Sequence, residues 1–156
     1  MKVAQINMVH NGSTGNIMLN ISKLLCEKGE ETVTLAAKPY TKKKMTFPAD
    51  FENHKYFGSR FENFIHTVLG QLTGFNGCFS YFGTRKLIKE CKRFSPDVIH
   101  LHNLHAFCIN FPLLFRYIKK TDVAVVWTLH DCWTFTGHCP HFVMANCDKW
   151  KTGCYD

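Results

Sequence analysis

Residues 1–37, MKVAQINMVHNGSTGNIMLNISKLLCEKGEETVTLAA, decide the fold class. Val3 to Met8 are a short apolar run with a polar break, the pattern of a buried strand. His10-Asn11-Gly12-Ser13-Thr14-Gly15-Asn16 follows as a turn-rich loop. Ile17, Ile21, Leu24 and Leu25 then recur at helical spacing, Gly29 supplies a helix stop, and Thr32 to Ala37 return to a strand pattern. Strand, glycine loop, helix, strand is the opening of a Rossmann-like α/β unit.

Further along, the same grammar resumes after an interruption. Lys38 to Glu52, with a run of three lysines and two prolines, reads as an exposed loop. Phe57, Phe61, Phe64, Ile65, Val68, Leu69 and Leu72 fall at helical spacings and predict an amphipathic helix whose apolar stripe packs on the sheet, the alternative being contact with a membrane interface. Gly74-Phe75-Asn76-Gly77 breaks it, and a basic helix follows around Thr84 to Arg93. Val98 to His102 then reads as a strand, Phe111 to Lys120 as a helix, and Val123 to Leu129 as a fully buried strand by its β-branched content. The order is β-α-β, a two-helix insert within residues 38–93, then β-α-β. It predicts one α/β domain over 1–156, a mostly parallel sheet with helices on both faces. Such sheets bind ligands beyond the carboxyl ends of their strands. The polar residues Asn11 to Asn16, His100 to His105, and His130-Asp131 all fall at those ends.

Composition bounds the function classes. The 156 residues are 46% hydrophobic and 14% aromatic, enough to bury a core and too apolar for a disordered tail. No apolar stretch is long enough to span a bilayer, and the first residues lack a signal-peptide core, so a cytoplasmic protein or one on the inner membrane face is expected. Residues 38–93 hold eleven Lys/Arg against four Asp/Glu, and the remainder holds eight of each. The whole net charge of +7 therefore sits in the middle stretch, which attracts anions: phospholipid headgroups, nucleic acid or phosphorylated substrates. Eight cysteines without a secretion signal are expected to be mostly reduced, with Cys26, Cys91 and Cys108 as small core residues.

Four groups of residues carry chemistry. Gly12-Ser13-Thr14-Gly15 offers close backbone approach and the N–H groups of a helix N-terminus to a phosphate or sugar; it serves equally as an ordinary turn capped by Ser13 or Thr14. His100 and His102 alternate and so share one side of their strand, as a metal pair, an acid/base pair or a polar cleft wall beside Asn103. His130 can orient a sugar hydroxyl or stabilise charge near a departing phosphate, and Asp131 can bind hydroxyls or fix a ring tautomer. Neighbouring strand residues point to opposite faces, so a His130–Asp131 dyad needs the chain to turn there. Finally, Cys132, Cys139, Cys147 and Cys154, with His138 and His141 interleaved, offer soft ligands for a structural zinc; without a C-x-x-C knuckle, reduced thiols and disulfides stay open.

Taken together, MKVAQINMVHNGSTGNI, SPDVIHLHNLH and VVWTLHDCWTFTGHCPHF with NCDKWKTGC resemble the N-terminal half of bacterial family 4 glycosyltransferases of the capsule and exopolysaccharide type. The resemblance implies a GT-B architecture of two facing Rossmann-like domains, an acceptor-side N-terminal domain and a nucleotide-sugar domain after it. It also implies retained anomeric configuration and no catalytic metal. It places Gly12 and Gly15 near the donor diphosphate or the acceptor, His130 beside the reacting sugar, and His102 and Asn103 on the acceptor side. The basic stretch resembles the region such enzymes use to reach lipid-linked acceptors, with weak contact to an anionic membrane. A donor domain with its paired glutamates is expected beyond Asp156, which reads as a cut, so the chain alone is expected to be inactive. Relatives also tend to carry another cysteine just past that point, which favours zinc or a disulfide. Two other functions fit the residues: an acceptor-binding or membrane-recruiting subunit without catalysis, and a zinc-stabilised nucleic-acid module. The second needs a recognition motif that the basic and aromatic residues do not form, so no nucleic acid is expected.

Overall fold

The computed structural model describes residues 1–38, 53–136, 139–144 and 146–153. In chain order the elements are β1 (Lys2–Asn7), α1 (Gly12–Glu27), β2 (Glu31–Ala37), β3 (His54–Phe57), α2 (Arg60–Thr73), α3 (Tyr81–Phe94), β4 (Val98–Leu101), α4 (Phe111–Ile118), β5 (Ala124–Trp127) and the single turn α5 (Trp133–Thr136). The five strands form one sheet in the order β3-β2-β1-β4-β5, every pair parallel. Chain direction reverses across β1: successive strands first step to one side, to β2 and β3, then cross back to β4 and β5. Right-handed crossovers therefore put α1 on one face and α3 and α4 on the other. β1 and β2 are buried along nearly their whole length, which requires that cover on both sides.

The two faces of the sheet differ in chemistry. Ala4, Ile6, Val33, Leu35, Ile99 and Leu101 point toward α3 and α4, joining Leu87, Cys91 and Leu114 in the apolar core. Because side chains alternate, Gln5, Thr34, His100 and His102 line the opposite face, under α1. That face is buried and polar. Gln5 is held there by the Met18 carbonyl and the Ser22 hydroxyl of α1. Burying such groups costs stability unless each is hydrogen-bonded, and Gln5, His100 and His102 all have partners.

Segment 38–93 departs from the expected insert. Lys38 follows β2, His54–Phe57 supplies the edge strand β3, paired parallel to β2, and α3 covers the central strands. Most of the expected loop, residues 39–52, lies outside the described residues. Strand β3 was missed because His-Lys-Tyr-Phe carries no apolar alternation; pairing with β2, not side-chain pattern, makes it a strand.

Helix α2 forms where the spacing predicts one, but with its faces reversed. Ser59 caps it by accepting the Glu62 N–H at 3.1 Å, and Gly74 ends it in the left-handed conformation at φ +73°. The buried side chains are Asn63, His66 and Gly70. The apolar stripe faces outward, with Phe61 74% and Leu72 78% exposed and Phe64, Ile65 and Val68 exposed between them. Polar docking explains the reversal. Asn63 Nδ2 donates to the Lys38 carbonyl at 3.4 Å, His66 is bonded to Ser80 and Gly77, and Gly70 has no Cβ where the Phe107 ring would meet one at 2.9 Å. The Glu62 carboxylate accepts the Phe82 and Gly83 N–H groups, filling the open start of α3.

Two smaller corrections follow from position in the sheet. β5 is an edge strand, and Val125 and Val126 are exposed rather than fully buried. In α1 the buried line is Gly15, Met18 and Ser22, while Ile17 and Leu24 face outward and Cys26 is exposed. Cys91 and Cys108 are core residues as expected, and burial pushes both thiols up to about 12.

Candidate functional site at the carboxyl ends of the strands

Parallel pairing brings the ends of β1, β4 and β5 to one edge, and with them Asn7, His102 and His130. The Asn7 Nδ2 donates to Thr14 Oγ1 at 3.3 Å and its Oδ1 accepts the Met8 N–H at 2.9 Å, tying the end of β1 to the first turn of α1. Asn11 occupies the N-cap of α1 without a side-chain cap bond, and Gly12 adopts φ +71°. The expected cap by Ser13 or Thr14 is not made. Asn11, Gly12 and Ser13 are exposed, so the helix start is open to solvent. Gly15 is buried against the loop backbone: a Cβ there would stand 2.8 Å from the His10 carbonyl oxygen.

A row of three imidazoles crosses from β4 to the residues after β5. His100 and His102 stack with ring centroids 4.2 Å apart, and His102 and His130 lie edge to edge with centroids 5.4 Å and planes 17° apart. His102 is fully buried and bonded on both nitrogens, to Gln5 Oε1 at 3.0 Å and to His130 Nε2 at 3.1 Å. His100 Nε2 meets Thr128 Oγ1 at 2.7 Å. Burial first, then the neighbouring imidazoles, push the His102 pKa down to about 3. Burial and then His130 lower that of His100 as well. His100 and His102 are therefore neutral near pH 7, a polar wall rather than a charged one.

Asp131 and Asn103 belong to a second cluster. The Asp131 Oδ2 accepts from His105 Nε2 at 2.8 Å and Asn103 Nδ2 at 3.1 Å, and its Oδ1 accepts the Trp133 N–H at 3.0 Å. Burial opposes ionisation of this carboxyl, but the Trp133 N–H and His105 outweigh it, and the pKa lies below the ordinary carboxylate value. The space enclosed by His102, Asn103, His105, Asp131 and Trp133 is about 10 Å³, too little for a ligand. The chain does turn after β5, yet the turn sends Asp131 to His105 and His130 to His102 rather than pairing the two with each other. His105 enters the sequence reading only as the end of the polar run His100 to His105, and Gln5 has no functional role in it. Gln5 reads as a mere polar break in a strand, and its partner His102 is 97 positions away.

Of the sulfur ligands, Cys132, Cys139 and Cys147 are free thiols, and Cys154 lies outside the described residues together with His138. Among the described residues no group of three or more His, Cys, Asp or Glu side chains is arranged to hold a metal ion. Also among the described residues, no helix is long and apolar enough to cross a membrane.

A parallel sheet covered on both faces, with its polar side chains gathered beyond the carboxyl ends, is a Rossmann-like α/β domain. Within that class the chain belongs to Glycosyltransferase Family 4, whose model matches residues 17–150. It is also 42% identical over 64 residues to the candidate colanic acid biosynthesis glycosyl transferase WcaC of Escherichia coli strain K12. That match takes in 38% of this chain and 15% of the relative. No solved structure matches the chain.

Proposed function

We propose that this chain is the acceptor-side domain of a GT-B glycosyltransferase that moves a hexose-type sugar from a nucleotide-sugar to a glycan or lipid-linked acceptor in surface polysaccharide synthesis. Family membership and the colanic acid relative support the reaction class. The observation that carries the placement of the site is the histidine row meeting the open start of α1 at one sheet edge. In this reading transfer retains the anomeric configuration without a catalytic metal. A second domain supplies the nucleotide-sugar, and the isolated chain is inactive. His130 contacts the reacting sugar; Gly12, Ser13, Thr14 and Gly15 present backbone N–H groups and a favourable helix dipole to a phosphate or sugar oxygen. Asp131 and Asn103 hold the turn that carries His130.

The outward stripe of α2 supports peripheral contact with an anionic bilayer. Phe61 to Leu72 present an apolar face, and Phe82, also exposed, adjoins Glu62 of that helix. Tyr81, in edge contact with Phe82, lines a groove between α3 and α4 together with Arg85, Lys86, Lys89, Arg116 and Lys120. No carboxylate lines that groove among the described residues. Apolar burial and attraction to anionic headgroups act together on such a surface.

The test of the reaction is His130→Ala in the longer transferase, assayed for sugar transfer from nucleotide-sugar donors. We expect turnover to fall about 100-fold or more in a domain that still folds, its thermal midpoint lowered by the lost bond to buried His102. Near-normal turnover removes His130 from the mechanism and with it this placement of the site.

A further inference from the structure

The orientation in which His130 meets a ligand is set by a residue on another strand. The Met18 backbone carbonyl can only accept a hydrogen bond, so the Gln5 amide nitrogen must face it, 3.1 Å away. That nitrogen also reaches the Ser22 hydroxyl. The Gln5 carbonyl oxygen is thereby turned to His102 Nε2, at 3.0 Å. An amide oxygen cannot donate, so His102 carries its proton on Nε2. A neutral imidazole has only one N–H, which leaves His102 Nδ1 as a bare acceptor. His130 Nε2, 3.1 Å from that acceptor, must therefore be the donor. Stacking on His100 holds the plane of His102, and His130 meets His102 edge to edge with its plane 17° away. Burial keeps His102 neutral across the physiological range.

We propose that Met18, Gln5 and His102 form a tautomer lock that holds His130 as its Nε2–H form and presents Nδ1 to the cleft as a hydrogen-bond acceptor. Among the described residues His130 makes its one hydrogen bond through Nε2, to His102, so Nδ1 is left for a ligand. The ligand group that fits is a hydroxyl donor; an incoming carbonyl or carboxylate oxygen would meet a lone pair. Gln5 is a positioning residue, and its effect reaches the ligand only through His102 and His130. The assignment of that hydroxyl to a sugar rests on the proposed transfer reaction, but the tautomer itself does not.

The experiment is a long-range proton–nitrogen NMR correlation of the ¹⁵N-labelled 156-residue chain at pH 8, where an ordinary histidine is neutral. We expect His130 and His102 each to show a protonated Nε2 and a bare Nδ1. A His130 protonated on Nδ1, or averaged between the two tautomers, overturns the proposal. The variant Gln5→Met keeps the volume and removes the acceptor, and we expect it to convert His130 into a mixture of tautomers. A variant that folds and still shows only the Nε2–H form removes Gln5 from the lock. Should Gln5→Met fail to fold, the wild-type spectrum decides alone. No donor or acceptor sugar enters the measurement, so its failure is distinct from failure of the transfer reading.

Discussion

Gly15 and Ser13 stand two residues apart in the first turn of α1 and answer to different forces. The backbone of His10 occupies the place of a Cβ on Gly15, and backbone cannot swing aside as a side-chain tip can. Gly15→Ala is therefore expected to destabilise the fold by about 1–3 kcal/mol, the usual cost of overpacking, read as a lower urea midpoint at constant slope. Ser13 is exposed and makes no cap bond, so Ser13→Ala is expected to shift stability by less than about 0.5 kcal/mol. A similar shift at both positions would contradict the packing. The two glycines of Gly12-Ser13-Thr14-Gly15 were legible in the sequence as a turn. That Gly12 serves a positive φ and Gly15 a close approach was not, because either need is met by the same absent side chain.

Helix α2 separates what local spacing decides from what docking decides. Its limits were legible in outline: Ser59 and Gly74 bracket it chemically, and the apolar spacing marks the body. Its orientation was not, since a hydrophobic stripe says that a face seeks apolar surroundings without saying which. Here the face carrying His66 is the one docked. His66 accepts the Gly77 N–H at Nε2, and its Nδ1 lies 2.6 Å from Ser80 Oγ and 3.2 Å from the Ser80 backbone N, while the Ser80 hydroxyl donates to the Phe107 carbonyl at 3.2 Å. His66→Ala is expected to cost about 2–3 kcal/mol, because it leaves the buried Gly77 N–H and Ser80 groups without that partner. Phe61→Ser with Leu72→Ser is expected to leave the unfolding midpoint nearly unchanged. The same pair of changes should weaken sedimentation with phosphatidylglycerol-containing vesicles several-fold, and salt should weaken wild-type binding too. Equal binding by wild type and variant, or a stripe covered by a second copy of the chain, would sink the membrane assignment. So would a stripe covered by a further domain.

Across the whole molecule, three buried histidines on different elements make stability depend on pH. His10 and His66 are each pushed down to about 4 and His102 to about 3, with burial the leading cause in all three. Unfolded, each returns to an ordinary value near 6.5. Between these limits the unfolded chain binds more protons than the folded one, so stability rises with pH. The full contribution is present above about pH 6.5 and is lost as pH falls through the folded values. Unfolding at pH 5 should take up about three protons from these groups, and the thermal midpoint should drop steadily from pH 7 to pH 4. A midpoint flat over that range would show the histidines to be solvated. By itself the sequence determined the alternation of strand and helix, the parallel sheet it entails and the edge at which polar residues collect. Those follow from side-chain period, turn residues and the handedness of crossovers, all of which act locally or along the chain. Only the tertiary structure decided that β3 joins the sheet, that β5 is its exposed edge, that α2 turns its apolar side outward, and that His130 answers to Gln5 while Asp131 answers to His105. Each of these depends on hydrogen bonds and close contacts between residues dozens of positions apart, and a one-dimensional pattern carries no record of such partners.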